Sequence, residues 1–197
     1  MDTAALIARL LDVIETDIAP KTRAGVARGN KIFGAAILRK SDLSLVIAET
    51  NNEVENPLWH GEMHVIKKLY ERDRATLPAP RDCLFLATHE PCSLCLSAIT
   101  WGGYDNFYYL FSHEQSRDSF AIPHDLRILK EVFTLEPGGY NASNAYWQSH
   151  DIARLIAGLD RGNREALLGR LDDIGALYAD LSAAYQANKG GAGIPLD

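Results

Sequence analysis

Four side chains in this sequence have the types and spacing to do metal chemistry. They are His60 and Glu62 in His60-Gly61-Glu62, and Cys92 and Cys95 in Pro91-Cys92-Ser93-Leu94-Cys95. One imidazole and two thiolates offer three protein ligands to a tetrahedral Zn²⁺ and leave the fourth position to water. A structural zinc site would be closed by a fourth side chain. Glu62, two residues from the histidine, cannot easily share the metal and is free to move protons. Zn²⁺ lowers the pKa of bound water from about 15.7 to roughly 7. A carboxyl with a raised pKa, in a cleft partly shut from water, suits the handling of that proton.

Competing uses of the same residues fit less well. Cys92-Ser93-Leu94-Cys95 could be half of a zinc ribbon, but the chain has only one further cysteine, Cys83, and so no second pair. A redox pair would leave His60-Gly61-Glu62 unexplained. His64, one helical turn beyond His60, is expected in the core or an interface rather than on the metal. His89 is expected in a supporting or loop position, and Cys83 as a packing residue.

The elements that must position these groups follow from periodicity. Residues 3–18 carry an amphipathic helical stripe, followed by a polar loop with Pro20 and Gly25. Strands are expected at 32–38 and 44–48, paired through a turn at Lys40-Ser41-Asp42, and at 83–87 and 106–111. Helices are expected from His60 to about Arg72 and from Ser93 to Trp101, the second stopped by Gly102-Gly103. Both halves of the motif thus fall where a helix begins, and the partial positive charge there favours thiolate over thiol. Residues 112–123 read as loop, 125–132 as a short helix and 144–159 as one helix. An apolar stripe from Leu167 to Tyr185 marks a last helix, closed by Gly190-Gly191-Ala192-Gly193 before a frayed terminus. Helix–strand alternation implies a three-layer α/β/α sandwich with partly parallel strands. Residues 1–140 are expected to form the metal domain, with 141–197 as a C-terminal helical extension packed on it or on a partner subunit.

Composition narrows the setting. The chain is 47% hydrophobic and 23% charged, within the soluble globular range, and no apolar run approaches the ~20 residues of a membrane helix. The first residues lack the basic segment of a secretory signal. Three cysteines, two of them in a ligand pair, make no disulfide framework, so the expected compartment is the cytoplasm. A net charge of −6 fits a small neutral substrate better than nucleic acid, whose phosphates call for Lys and Arg. The nearest basic cluster, Lys21, Arg23, Arg28 and Lys31, reads as a solvated loop.

From about residue 30 to 135 the chain resembles the zinc-dependent cytidine and nucleobase deaminase superfamily. The resemblance is carried by Asn56-Pro57, His60-Gly61-Glu62, Thr88, Glu90-Pro91-Cys92, Cys95 and the short residues before Trp101. It implies a central mixed sheet of about five strands, zinc on His60, Cys92 and Cys95, and Glu62 as proton shuttle. The reaction implied is hydrolytic attack on the amidine-like carbon of an aminopurine or aminopyrimidine, with release of ammonia. Asn51 or Asn52 would hydrogen-bond the base, and the Gly61 N–H would bind its oxygen, although alanine is more usual at that place. Glu90 is a further candidate contact.

Trp101, Phe107-Tyr108-Tyr109 and the Asp118 to Asp125 segment resemble the guanine-deaminase-like branch, with Asp125 as the second acid or, alternatively, a helix N-cap. Trp59, Trp147 or Tyr146 could stack on a base or simply be core, and Asn141, Asn144 and Trp147 sit where relatives bring a C-terminal element over the site. A homodimer is implied by the same likeness. The rival functions are a tRNA-specific adenosine deaminase and a non-catalytic zinc-stabilised interaction module. A pocket closed over the metal would favour a free base, and an open trough a nucleotide chain.

Overall fold

The N-terminal helix α1 (Thr3–Val13) starts where the Asp2 carboxylate accepts a hydrogen bond from the Ala4 N–H at 3.2 Å. It runs without a break through a π-helical turn (Ile14–Ile18) into α2 (Ala19–Val26). The loop expected at Pro20 and Gly25 is therefore helical. Pro20 stands in the first turn of α2, where a missing N–H costs little, and the wide turn before it accommodates the ring. The computed structural model describes residues 2–136 and 138–194.

Strands β1 (Gly34–Arg39) and β2 (Leu45–Thr50) form the expected antiparallel hairpin, with a register irregularity at Ile37/Leu38. Helix α3 (Gly61–Tyr70) follows, then β3 (Cys83–His89), α4 (Ser93–Trp101) and β4 (Asn106–Phe111). β3 lies antiparallel to β1 and parallel to β4. Period-two alternation sends Ala36, Leu38, Leu84, Leu86 and Leu110 to one face and Ala35, Ile37, Phe85, Phe107 and Tyr109 to the other.

Two stretches differ from expectation. The loop expected at 112–123 contains α5 (His113–Asp118), opened by a capping box in which Ser112 and Gln115 satisfy each other's backbone N–H groups. It leads to α6 (His124–Glu131). The single helix expected at 144–159 is instead strand β5 (Gln148–Asp151) followed by α7 (Ile152–Ala157). β5 pairs parallel to β4 and completes a mixed five-stranded sheet of order β2-β1-β3-β4-β5. Its sequence, Gln-Ser-His-Asp, carries no apolar alternation, because an edge strand is held by its backbone ladder. The tail beyond residue 140 is thus not purely helical: it supplies the sheet's edge.

The last helix, α8 (Arg161–Asn188), packs with α1, α2 and α7 over one face of the sheet, burying Leu167, Ile174, Tyr178, Leu181 and Tyr185. Arg170 bridges it to Asp12 and Glu15 at 2.6 and 2.7 Å. α3 and α4 cover the other face, making the third layer. The expected frayed terminus falls on 195–197, outside the described residues. Among those described, no helix is long and apolar enough to cross a membrane.

Candidate metal centre

α3 and α4 lie side by side and begin at the same place. His60 is the N-cap of α3; Cys92 is the N-cap of α4 and Cys95 lies in that helix's first turn. His60 Nδ1 is 3.4 Å from Cys92 Sγ and 3.8 Å from Cys95 Sγ, and the two sulfurs are 3.6 Å apart. Zinc–sulfur bonds of about 2.3 Å and zinc–nitrogen bonds of about 2.0–2.1 Å at tetrahedral angles require N···S near 3.6 Å and S···S near 3.8 Å. The three donors therefore stand at the corners of a tetrahedral face sized for Zn²⁺. Among the described residues they are the only His, Cys and carboxylate group of three so gathered.

The electrostatics fit a cation. The Cys92 thiol is held far below its usual range by a hydrogen bond from Cys95 and by the neighbouring His60. Cys95 is pushed up by burial and by the charge on Cys92. Burial alone would pull His60 down, but Cys92, Glu53 and Glu62 lift it to about 9. These opposed shifts are those of negative groups crowded out of water, which a divalent ion would relieve.

Glu62, in the first turn of α3, is buried beside the donors, and burial followed by the Cys92 charge raises its carboxyl to about 7. Phe33, His60, Glu62, Glu90, Cys92, Cys95 and Asp125 line a small cavity of about 10 Å³, roughly the room that one water needs. Asp125 reaches it from the first turn of α6. It is not the N-cap, which is Pro123. Burial and then Cys92 raise the Asp125 carboxyl to about 6.

The remaining candidates divide. Asn51 is buried, with Oδ1 accepting from the Glu53 N–H at 3.1 Å and Nδ2 without a protein partner. Asn52 instead donates to Glu55 at 2.6 Å. Gly61 abuts the backbone of Gly34, where a Cβ would come within 2.8 Å of the Gly34 Cα. That contact explains glycine where alanine is more usual. Glu90 lines the cavity, but its carboxylate already accepts from the Tyr140 hydroxyl at 2.5 Å and the His113 N–H at 2.8 Å.

Neither tryptophan candidate lines the cavity. Trp59 stacks beside His64 with the Lys67 ammonium 4.3 Å from its ring centre, on the outer side of α3. Trp147 is core: the residue before β5, it packs edge-on to Phe107 and its indole N–H donates to Thr100 Oγ1 at 2.8 Å. Tyr146 is exposed, and Asn144 forms a turn by accepting from the N–H groups of Tyr146 and Trp147.

His64 and Cys83 are buried as expected, His64 bonding the Thr50 carbonyl at 2.8 Å. His89 is not in a loop but on β3, caged by Phe33, Phe111, Phe120 and Tyr178, where burial lowers its pKa to about 3. Two residues at the centre were not expected there: Glu53 was not singled out in the sequence, and Lys31, expected in a solvated loop, is buried. Glu53 places Oε1 3.5 Å from His60 Nε2, and Lys31 meets that same oxygen at 3.1 Å. Charged residues in polar loops carry no sign that they will be buried.

Comparison with known proteins agrees with this geometry. A guanine deaminase of Bacillus subtilis (strain 168) is 29% identical over 96 residues, covering 44% of this chain and 54% of that protein. The match thus spans about half the length of that curated relative. A solved structure described as a guanine deaminase from Nitrosomonas europaea superposes with a TM-score of 0.55 at 21% identity, covering 90% of this chain and 84% of that one. The crystal structure of the Bacillus subtilis guanine deaminase gives 0.51 at 23% identity, over 68% and 86% of the two chains. At these identities the likeness of structures speaks for the fold. Residues 12–111, half of the chain, match the family described as the cytidine and deoxycytidylate deaminase zinc-binding region. Through that region, with its His60, Cys92 and Cys95 tripod sized for Zn²⁺, the chain belongs to the cytidine and deoxycytidylate deaminase family.

Proposed function

We propose that this protein is a zinc-dependent hydrolytic deaminase of a free nucleobase or nucleoside of the guanine or cytosine type. The observation that carries the reading is the place of Glu62, buried beside three metal donors and lining the same cavity, which has room for one water. His60 Nδ1 and the sulfurs of Cys92 and Cys95 would hold Zn²⁺. When bound, the ion supplies the positive charge that makes water acidic enough to lose a proton near neutral pH.

Glu62 takes that proton and delivers it to a ring nitrogen of the substrate as oxygen adds to the amino-bearing carbon. It then carries the second proton to the departing amine. The exocyclic C–N bond breaks, a carbonyl remains, and ammonia leaves. A buried carboxyl, raised by desolvation above the usual carboxylate range, is suited to accept and return protons. The Gly61 N–H and Asn51 Nδ2 are donors for the heterocycle's polar edge, and Asp125 is an acceptor for an exocyclic amine.

The net charge of −6 supports a free base over a polynucleotide. We infer as well that the protein works in the cytoplasm as a homodimer, the pairing being supported by Trp101, a large apolar ring 91% exposed at the end of α4. Sedimentation of the purified chain tests the dimer.

The activity is tested with guanine, cytosine, adenine and their nucleosides, reading ammonia release from the parent and from Glu62→Gln. The variant should keep zinc and fold while losing about 10²–10⁴-fold in rate. Equal activity in the two proteins, or none in the parent on any substrate, refutes the reading. Salt-sensitive binding of tRNA, with activity only on it, would transfer the assignment to a tRNA adenosine deaminase.

A further inference from the structure

Behind the metal donors lies an ion pair sealed from solvent. The side chains of Lys31 and Glu53 are 8% and 2% exposed, and Lys31 Nζ stands 3.1 Å from Glu53 Oε1. Such a pair is a poor device for stability: apolar residues of similar volume at such sites are often neutral or stabilising. A third group gives it a purpose. The Glu53 oxygen that meets Lys31 also faces His60 Nε2 at 3.5 Å, on the ring edge opposite the one turned to the sulfurs.

We infer that Lys31 and Glu53 are positioning residues that fix the ring orientation and tautomer of His60 for zinc. The Glu53 carboxylate faces the Nε2 edge of His60 at ion-pair distance, which leaves the Nδ1 edge turned to Cys92 and Cys95. Lys31 holds that carboxylate in place. The backbone reinforces the arrangement, because the Asn51 side chain holds the Glu53 N–H and the Asn51 N–H bonds the Phe33 carbonyl at 2.8 Å. The loop bearing Glu53 is thereby tied to the chain that leads from Lys31 into β1. Ligating histidines steered by a carboxylate lose about 10–100-fold in metal affinity when it is removed.

The inference rests on His60, Cys92 and Cys95 being the zinc ligands, and the test separates the two. Zinc affinity is measured by competition with a chromophoric chelator for the parent, Lys31→Met/Glu53→Leu, Glu53→Gln and Cys95→Ser. The melting temperature of each is measured without metal. The double variant should melt at or above the parent temperature yet bind zinc about 10–100-fold more weakly. Its Co²⁺-loaded form should show an altered ligand-field spectrum. A merely structural pair would shift the melting temperature and leave affinity and spectrum alone. Zinc affinity within threefold of the parent overturns the inference, and if the double variant does not fold, Glu53→Gln is judged by the same threshold. A Cys95→Ser protein that binds zinc as tightly as the parent overturns the ligand assignment and this inference together. Loss of zinc in Cys95→Ser, with affinity unmoved in the others, overturns this inference alone.

Discussion

Replacing Gly61 by alanine puts the joint between α3 and the sheet under load, and its cost can be worked from the structure. A Cβ at this position lies 2.8 Å from the Gly34 Cα, 2.9 Å from its N and 3.0 Å from its carbonyl carbon. All three are backbone atoms, roughly half an ångström inside ordinary contact in a close-packed interior. β1 cannot simply retreat, because an Ile18 methyl already occupies the space where a Gly34 side chain would stand, 2.3 Å from that ideal Cβ. The start of α3 must therefore lift away, taking His60 and Glu62 with it. Overpacking of this kind costs about 1–3 kcal/mol, offset by about 0.4–1 kcal/mol from the stiffer unfolded chain. The net loss is about 1–2 kcal/mol, or a fall in Tm of about 2–8 °C for a chain of this size. Thermal unfolding with and without zinc measures it, and the rise in Tm on adding zinc should also shrink. Gly169→Ala is the control: mid-helix in α8, with nothing within 4 Å of its Cβ position, it should gain about 0.5–1 kcal/mol. A Gly61→Ala protein as stable as its parent, with the control behaving as stated, would refute the reasoning.

Two further outcomes follow from groups around the centre. Trp147→Ala should destabilise by about 3–5 kcal/mol in urea titrations, as expected for a large buried aromatic, while zinc affinity holds; a loss below about 1 kcal/mol would mean the ring is not core. His89 has a folded pKa near 3 against an ordinary value of 6.5. Its contribution is intact above pH 6.5 and is lost as pH falls toward 3, because the unfolded chain takes up the proton first. The metal-free parent should therefore lose about 1.4 kcal/mol more per pH unit than His89→Leu between pH 6 and 4. Parallel stability curves would show that His89 is not held neutral.

The sequence by itself determined the zinc-binding donor set and much of the frame. His60, Cys92 and Cys95 were legible because metal ligation restricts residue type, and because each half of the motif adjoins a helix start marked by local signals. The strands β1 to β4 were legible because both faces of the sheet are covered, so their residues are apolar in runs. Tertiary structure decided what depends on contacts between distant segments. It made Gln148–Asp151 a strand, since this short polar edge segment draws on the backbone of β4 and carries no apolar alternation of its own. It turned Trp147 into the core and Trp59 outward, and brought Asp125 across from α6 to the cavity. It also buried Lys31 and Glu53 behind His60. A charged residue in a polar loop reads as solvated until the fold closes over it, and burial is a property of the whole chain.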